Sequence, residues 1–228
     1  MSGVTRAAIV IGATGLVGAR CVGRLLAAPA YASVTCLVRR PGSVTKLHGG
    51  DPRLRERVVD FEKLGDDDVT GADDLYCALG STMKKAGSRQ AFRHVDLEIP
   101  LEVARRAVER GTRRIALVSS VDANARSLSF YYRVKGELED ALAALPLGAL
   151  HVFRPSLLLG ERTEARAGER LAIGVTRALS GALVGGLRRY RPIDADRVAA
   201  AMVNATLSAD PSPPRRVYEH DEIIRLSK

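Results

Sequence analysis

The run Ala8-Ile9-Val10-Ile11, followed by Gly12-Ala13-Thr14-Gly15-Leu16-Val17-Gly18, constrains this chain more than any other stretch. A short apolar, β-branched run reads as a buried strand, and the residues after it carry the spacing of a helix that extends to about Ala28. The three glycines, each three positions from the next, mark a tight strand-to-helix turn. The first permits the turn, the second lets backbone N–H groups approach a pyrophosphate, and the third lets the helix pack closely on the strand. The free N–H groups of the helix and the positive end of its dipole then face the anion. Such a turn can also bind nothing, but its place after a buried-type strand at the start of the chain favours a nucleotide.

Composition narrows the class further. A chain of 228 residues can bury a full core as one domain, and 46% hydrophobic with 27% charged residues is the balance of a soluble globular protein. No apolar run is long enough to cross a bilayer, and Met1 to Arg6 lacks the features of a signal peptide, so the expected location is the cytoplasm, with no membrane partner. Cys21, Cys36 and Cys77 are well separated, which suits buried reduced thiols and offers no metal spacing. The formal charge of +9 raises the question of a nucleic-acid partner. Aromatic residues are only 4% of the chain, too few to stack bases, and the arginines are scattered, so a small anionic cofactor is favoured.

Strand-like and helix-like patterns alternate through most of the sequence, which predicts an α/β, Rossmann-type doubly wound parallel sheet. Ser33 to Val38 reads as a second strand ending at Arg39-Arg40. The residue at that tip, about twenty positions beyond the glycines, meets the adenosine ribose: an acid takes a free 2′-hydroxyl, an arginine a 2′-phosphate. Arg39 and Arg40 therefore argue for NADP(H), the alternative being a solvated pair before a turn. Residues 43–55 read as a crossover with little regular structure, and Arg57 to Phe61 as a strand that brings Asp60 and Phe61 beside the adenine, unless Asp60 caps the following turn instead. Asp74 to Gly80 is a fourth strand whose end, Ala78-Leu79-Gly80, should lie over the cofactor. A helix capped by Ser88 runs to Arg110, kinked or broken by Pro100.

Arg114 to Ser120 is the central fifth strand, and Phe130 to about Leu145 a helix. Leu150 to Phe153 follows as a sixth strand. Residues 161–190 hold a helix-like run, Leu171 to Leu183. A helix capped by Asp then runs to about Ala205, Pro211 to Pro214 form a turn, and a strand at Arg216 to Glu219 precedes a last helix, Asp221 to Leu226. The expectation is a single domain over 1–228, with 161–195 as a small segment covering the substrate.

Tyr131 and Lys135, four positions apart on a helix, share one face. An ammonium beside a phenol favours the phenolate, so the pair can relay a proton to a carbonyl oxygen as hydride reaches its carbon. Ser120 could hydrogen-bond the same oxygen. Taken with the glycine turn, Arg154-Pro155-Ser156 and the segments Cys77 to Thr82, Lys85-Ala86-Gly87, Ser119-Ser120 and Val134 to Glu137, the chain resembles the short-chain dehydrogenase/reductase superfamily in its extended or atypical branch. More narrowly, it resembles the Tat-interactive oxidoreductase-like proteins. The resemblance implies an NADPH-binding oxidoreductase. Gly12, Thr14, Gly15, Leu16, Val17 and Gly18 would hold the pyrophosphate, and Arg39 and Arg40 the 2′-phosphate. Tyr131 would be the acid and Lys135 would hold the nicotinamide ribose. Pro155, Ser156 and Leu157 would line the nicotinamide. The serine-to-tyrosine stretch is shorter than is usual in the superfamily, so Ser119 and Ser120 are both carried, the first as a cofactor contact and the second as the substrate contact. The expected activity is NADPH-dependent reduction of a carbonyl or related small molecule; the alternative is an NADP(H)-binding redox sensor that signals to a protein partner without turnover. The helices near 89–110 and 130–145 are candidates for a homodimer contact.

Overall fold

Alternate residues of the first strand serve opposite cores, and the fold is built outward from that fact. In β1 (Arg6–Ile11), Ala8 and Val10 enter one buried cluster while Ile9 and Ile11 enter another. A strand with both faces buried belongs inside a sheet covered by helices on both sides. The computed structural model describes residues 5–160, 183–208 and 214–228.

Six further parallel strands join β1: β2 (Tyr31–Val38), β3 (Leu54–Val58), β4 (Asp74–Cys77), β5 (Arg114–Val118), β6 (Ala149–Phe153) and β9 (Arg215–Tyr218), in the order β3-β2-β1-β4-β5-β6-β9. The order reverses between β1 and β4, which opens a crevice at the carboxyl ends of those strands. On one face, α1 (Leu16–Ala27) and α7 (Ala195–Leu207) pack Val22, Leu25, Val198 and Met202 against the sheet. On the other, α4 (Arg89–Arg93), α5 (Ile99–Glu109) and α6 (Phe130–Ala143) contribute Phe92, Val103, Val134 and Leu138. Each such side chain, fully removed from water, contributes roughly 1.5–3 kcal/mol.

Several boundaries differ from the sequence-based expectation. Residues 43–55 contain a short helix, α2 (Thr45–His48), and the start of β3, which ends at Val58, so Asp60 and Phe61 lie beyond the strand. β4 stops at Cys77 and β5 at Val118, leaving Ala78–Gly80, which lead into the short helix α3 (Met83–Ala86), and Ser119–Ser120 in the loops at the crevice. Ser88 caps α4 as expected, its hydroxyl accepting from the Ala91 N–H at 3.0 Å. Pro100 does not break the helix. Between α4 and α5 the chain makes a π turn, His94–Glu98, closed by the Ile99 N–H on the His94 carbonyl. Proline has no N–H for the Asp96 carbonyl, and the wider turn absorbs that loss.

Beyond β6, the pair β7 (Leu158–Leu159) and β8 (Ile193–Asp194) forms a small parallel sheet, with a 3-10 turn at Gly185–Tyr190 between them in sequence. Asp194 caps α7 by accepting from the Asp196 N–H at 2.8 Å. The chain ends in α8 (His220–Leu226). Residues 161–182 of the proposed covering segment, with all but the last residue of the Leu171 to Leu183 run, lie outside the described residues, as do 211–213 of the proline turn.

Candidate active site

The glycine turn is shaped by backbone contacts. Gly12 sits at φ +76°, and a Cβ there would collide with the backbone of Ala78 and Leu79 just past β4. A Cβ on Gly15 would meet the Gly12 carbonyl oxygen at 3.1 Å, and one on Gly18 would overlap that same oxygen. The turn is therefore packed so closely, backbone on backbone, that no side chain fits at these three positions. Gly15 is the N-cap of α1, makes no side-chain cap bond and has no acidic residue in the turn that follows, so the helix presents its N–H groups and dipole to the crevice. These features fit a bound pyrophosphate. Thr14 is exposed and Leu16 half-buried, whereas Val17 is in the core and can contribute only its backbone N–H.

Arg39 and Arg40 emerge exposed from the end of β2. The loop after them is held by Glu56 of β3, whose carboxylate accepts from the N–H and hydroxyl of Ser43 at 2.9 and 3.0 Å and from those of Thr45 at 3.2 and 2.8 Å. Burial pushes this carboxyl up, but the four hydrogen bonds outweigh it and bring it to about 2. Glu56 carries no sequence motif and was not anticipated. Asp60 accepts from the Glu62 N–H at 3.0 Å, which makes it the cap of its own turn, the second of the two roles open to it. Phe61 is half-buried on the second core and borders a cavity of about 350 Å³ with Glu62, His94 and Ile99.

Ser119 and Ser120 part company. The Ser119 hydroxyl points inward and donates to the buried carboxylate of Glu139 at 2.5 Å, which also takes Arg154 Nε at 3.0 Å and Arg215 Nη2 at 2.8 Å. That engagement spends the Ser119 hydroxyl proton on an interior charge. Ser120, 9% exposed, has no side-chain hydrogen bond among the described residues. The backbone just after it is strained, with Asp122 at φ +61°. Asp122 accepts from the Tyr190 hydroxyl at 3.0 Å and pairs with Arg189 at 3.4 Å, which ties the 3-10 turn to the serine loop. Neither Asp122 nor Tyr190 is marked by any local pattern.

Tyr131 and Lys135 stand one turn apart on α6, as the spacing predicts. Tyr131 packs beside Phe92, ring centroids 5.4 Å apart, and Tyr132, at 5.3 Å. Lys135 is only 5% exposed, and its Nζ lies 2.7 Å from the carboxylate of Asp96, which is fully buried. The other Asp96 oxygen accepts from the Ser81 N–H at 2.8 Å. Burial raises the Asp96 carboxyl above its ordinary range, against the pull of Lys135 and this N–H. Gly80 makes room for the pair: a Cβ there would lie 3.2 Å from Asp96 and 3.3 Å from Lys135 Nζ. Asp96 is the site residue that sequence reasoning missed. Past β6, Pro155 is buried, its carbonyl accepting from Val121 at 3.0 Å. Ser156 donates to the Arg191 carbonyl, and the exposed Leu157 bonds through its carbonyl to Ile193 at 2.9 Å.

Comparison with known proteins identifies the family and the fold. The NAD(P)H-binding family matches residues 12–172. The chain is 34% identical over 197 residues to Protein FMP52, mitochondrial, of Candida albicans, covering 86% of this chain and 85% of that one. It is 32% identical over 225 residues to Protein HTATIP2 of Rattus norvegicus, covering 98% and 90%. A solved structure described as a putative NAD-dependent epimerase/dehydratase from Bacillus halodurans superposes with a TM-score of 0.68 at 17% identity, over 97% of this chain and 98% of that one. The resemblance seen in the motifs therefore stands. The fungal relatives are named as mitochondrial proteins, which overturns the expectation of a cytoplasmic location.

Proposed function

The chain belongs to the NAD(P)H-binding family, and from that premise we propose that it is an NADPH-dependent reductase of a carbonyl or related small molecule. The observation that carries this reading is that the loop after β4 packs through Ala78 and Leu79 on Gly12 of the cradle and through Gly80 on Lys135, whose helix also carries Tyr131. The exposed Arg39 and Arg40 at the tip of β2 support the phosphorylated cofactor, since two guanidiniums there answer a 2′-phosphate and no acid is present to take a free hydroxyl. When bound, reduced nicotinamide supplies a hydride. The residues of the chain do the rest: Tyr131 gives its phenolic proton to the carbonyl oxygen, Ser120 orients that oxygen, and Lys135 holds the ribose side of the site.

The test is NADPH consumption by wild type and Tyr131→Phe over a panel of aldehydes, ketones and quinones, with NADPH binding measured on the same samples. The expected outcome is a loss of at least about 100-fold in kcat/KM with cofactor affinity within about threefold. Tight NADPH binding with no tyrosine-dependent turnover on any compound would instead support the second reading, a redox-sensing adaptor, which the interior pairing of Lys135 favours.

A further inference from the structure

The Tyr131/Lys135 pair does not stand alone. Across from it, the row Phe92 and Asp96 on α4 and the π turn faces the row Tyr131 and Lys135 on α6, Phe92 against the tyrosine and Asp96 against the lysine. A tyrosine beside an isolated ammonium is made more acidic by it. Here the ammonium already has a counter-ion at 2.7 Å, inside protein, where the two charges largely cancel at any third group. The other charged groups packed around the pair do not change this balance. Arg93 of α4 is paired with Glu137 of α6. Glu139 of α6 is committed to Arg154 and Arg215. Arg133 donates to the Ser127 carbonyl at 3.0 Å and lies over the Phe130 ring together with Arg89. The loop after β4 offers the Ser81 N–H, which is spent on Asp96, and the charges beyond it, Lys84 and Lys85, are exposed to solvent.

We propose that Asp96 is a positioning residue that both fixes Lys135 in the crevice and cancels its charge, so that Tyr131 faces a neutral ion pair rather than a free ammonium. The inference rests on the reading of Tyr131 and Lys135 as the proton relay, but its test needs no turnover.

The experiment is an ultraviolet titration of tyrosinate in the cofactor-free protein, each variant compared with the same variant carrying Tyr131→Phe so that the difference reports Tyr131 alone. Asp96→Asn leaves Lys135, one turn from Tyr131 on α6, without its counter-ion, and the Tyr131 midpoint should fall by about one pH unit. Lys135→Met leaves an unanswered carboxylate, and the midpoint should rise by about as much. The double variant Asp96→Asn/Lys135→Met replaces a neutral ion pair with a neutral pair and should return to within about 0.3 unit of wild type. A double variant displaced upward as far as Lys135→Met would overturn the proposal, since the ammonium would then act uncompensated. So would an Asp96→Asn variant with an unmoved midpoint. If either single variant fails to fold, the double variant, which buries no charge, decides the matter. Loss of turnover in Tyr131→Phe with no such pattern of shifts would leave the reductase reading in place and remove this one.

Discussion

Two carboxylates are fully buried beside α6, and they are held in opposite ways. Glu139 takes Ser119 at 2.5 Å, Arg154 Nε at 3.0 Å and Arg215 at 2.8 Å, and so ties α6 to β9 and to the segments just past β5 and β6. Asp96 has one ammonium at 2.7 Å and one amide N–H at 2.8 Å, both at the edge of the crevice. Their partners differ in kind as well as number. Arginine stays charged at any ordinary pH, whereas lysine can give up its proton when buried. A saturated carboxylate among arginines is a structural tie; a partly answered one against a lysine leaves charge that can be redistributed. Position and saturation, more than burial, separate the group proposed to work from the one that holds the scaffold.

The sharpest way to break this contrast is Glu139→Gln. It leaves Arg154 without its carboxylate and Arg215 with Asp140 alone, so stability in urea should fall by about 3 kcal/mol, and by at least about 1 kcal/mol more than in Asp96→Asn, which breaks a single ion pair. Equal losses would mean that the two carboxylates are scaffold alike.

His151 supplies a third buried group, one kept neutral rather than paired. It stacks on Tyr218 and hydrogen-bonds its hydroxyl at 2.9 Å, and burial, then the charges of Arg216 and Arg114, bring its imidazole down from 6.5 to about 4. A histidine depressed in the folded state contributes stability that is complete above about pH 6.5 and is lost as pH falls toward 4. Wild type should therefore lose about 3 kcal/mol over that window relative to His151→Gln, measured by urea unfolding at each pH. A constant difference between the two proteins across the window would show that His151 titrates normally.

Ser119→Ala and Ser120→Ala should cross. The first removes a hydrogen bond to a buried charge and should cost about 1–2 kcal/mol in thermal unfolding while sparing turnover. The second should spare stability and reduce kcat about tenfold. If both serines move the same quantity, the division between tie and site drawn at the end of β5 fails.

The smallest effect belongs to Arg24→Ala. Arg24 meets Asp196 across α1 and α7, but both side chains are nearly half exposed, at 47% and 45%. The hydrogen bond to Asp196 raises the Arg24 guanidinium, yet in solvent the loss should stay within about 0.5 kcal/mol and shrink with added salt.

How much of this was legible in the sequence varies with distance along the chain. The glycine turn, the Ser88 and Asp194 caps and the four-residue spacing of Tyr131 and Lys135 are local, and the structure carries each of them. Strand ends were less legible. The crevice residues Ala78–Gly80 and Ser119–Ser120 continue an extended-looking pattern after the ladder has stopped, because pairing depends on where the neighbouring strand ends. Pro100 marked a disturbance but not its form.

By itself, the sequence determined the class of fold and the cradle. Hydrophobic period, β-branching and the absence of a Cβ act on the nearest few bonds, and the alternation they produce admits a parallel sheet with a phosphate turn at its start. Tertiary structure alone decided which polar residues work and which only hold. Asp96 sits unmarked between Val95 and Leu97, and Glu139 looks like one more charge on an amphipathic helix. Their roles come from partners on other elements, Lys135 and Ser81 for the first, Ser119, Arg154 and Arg215 for the second. The energy of a charge depends on what surrounds it in space, and no local pattern records that.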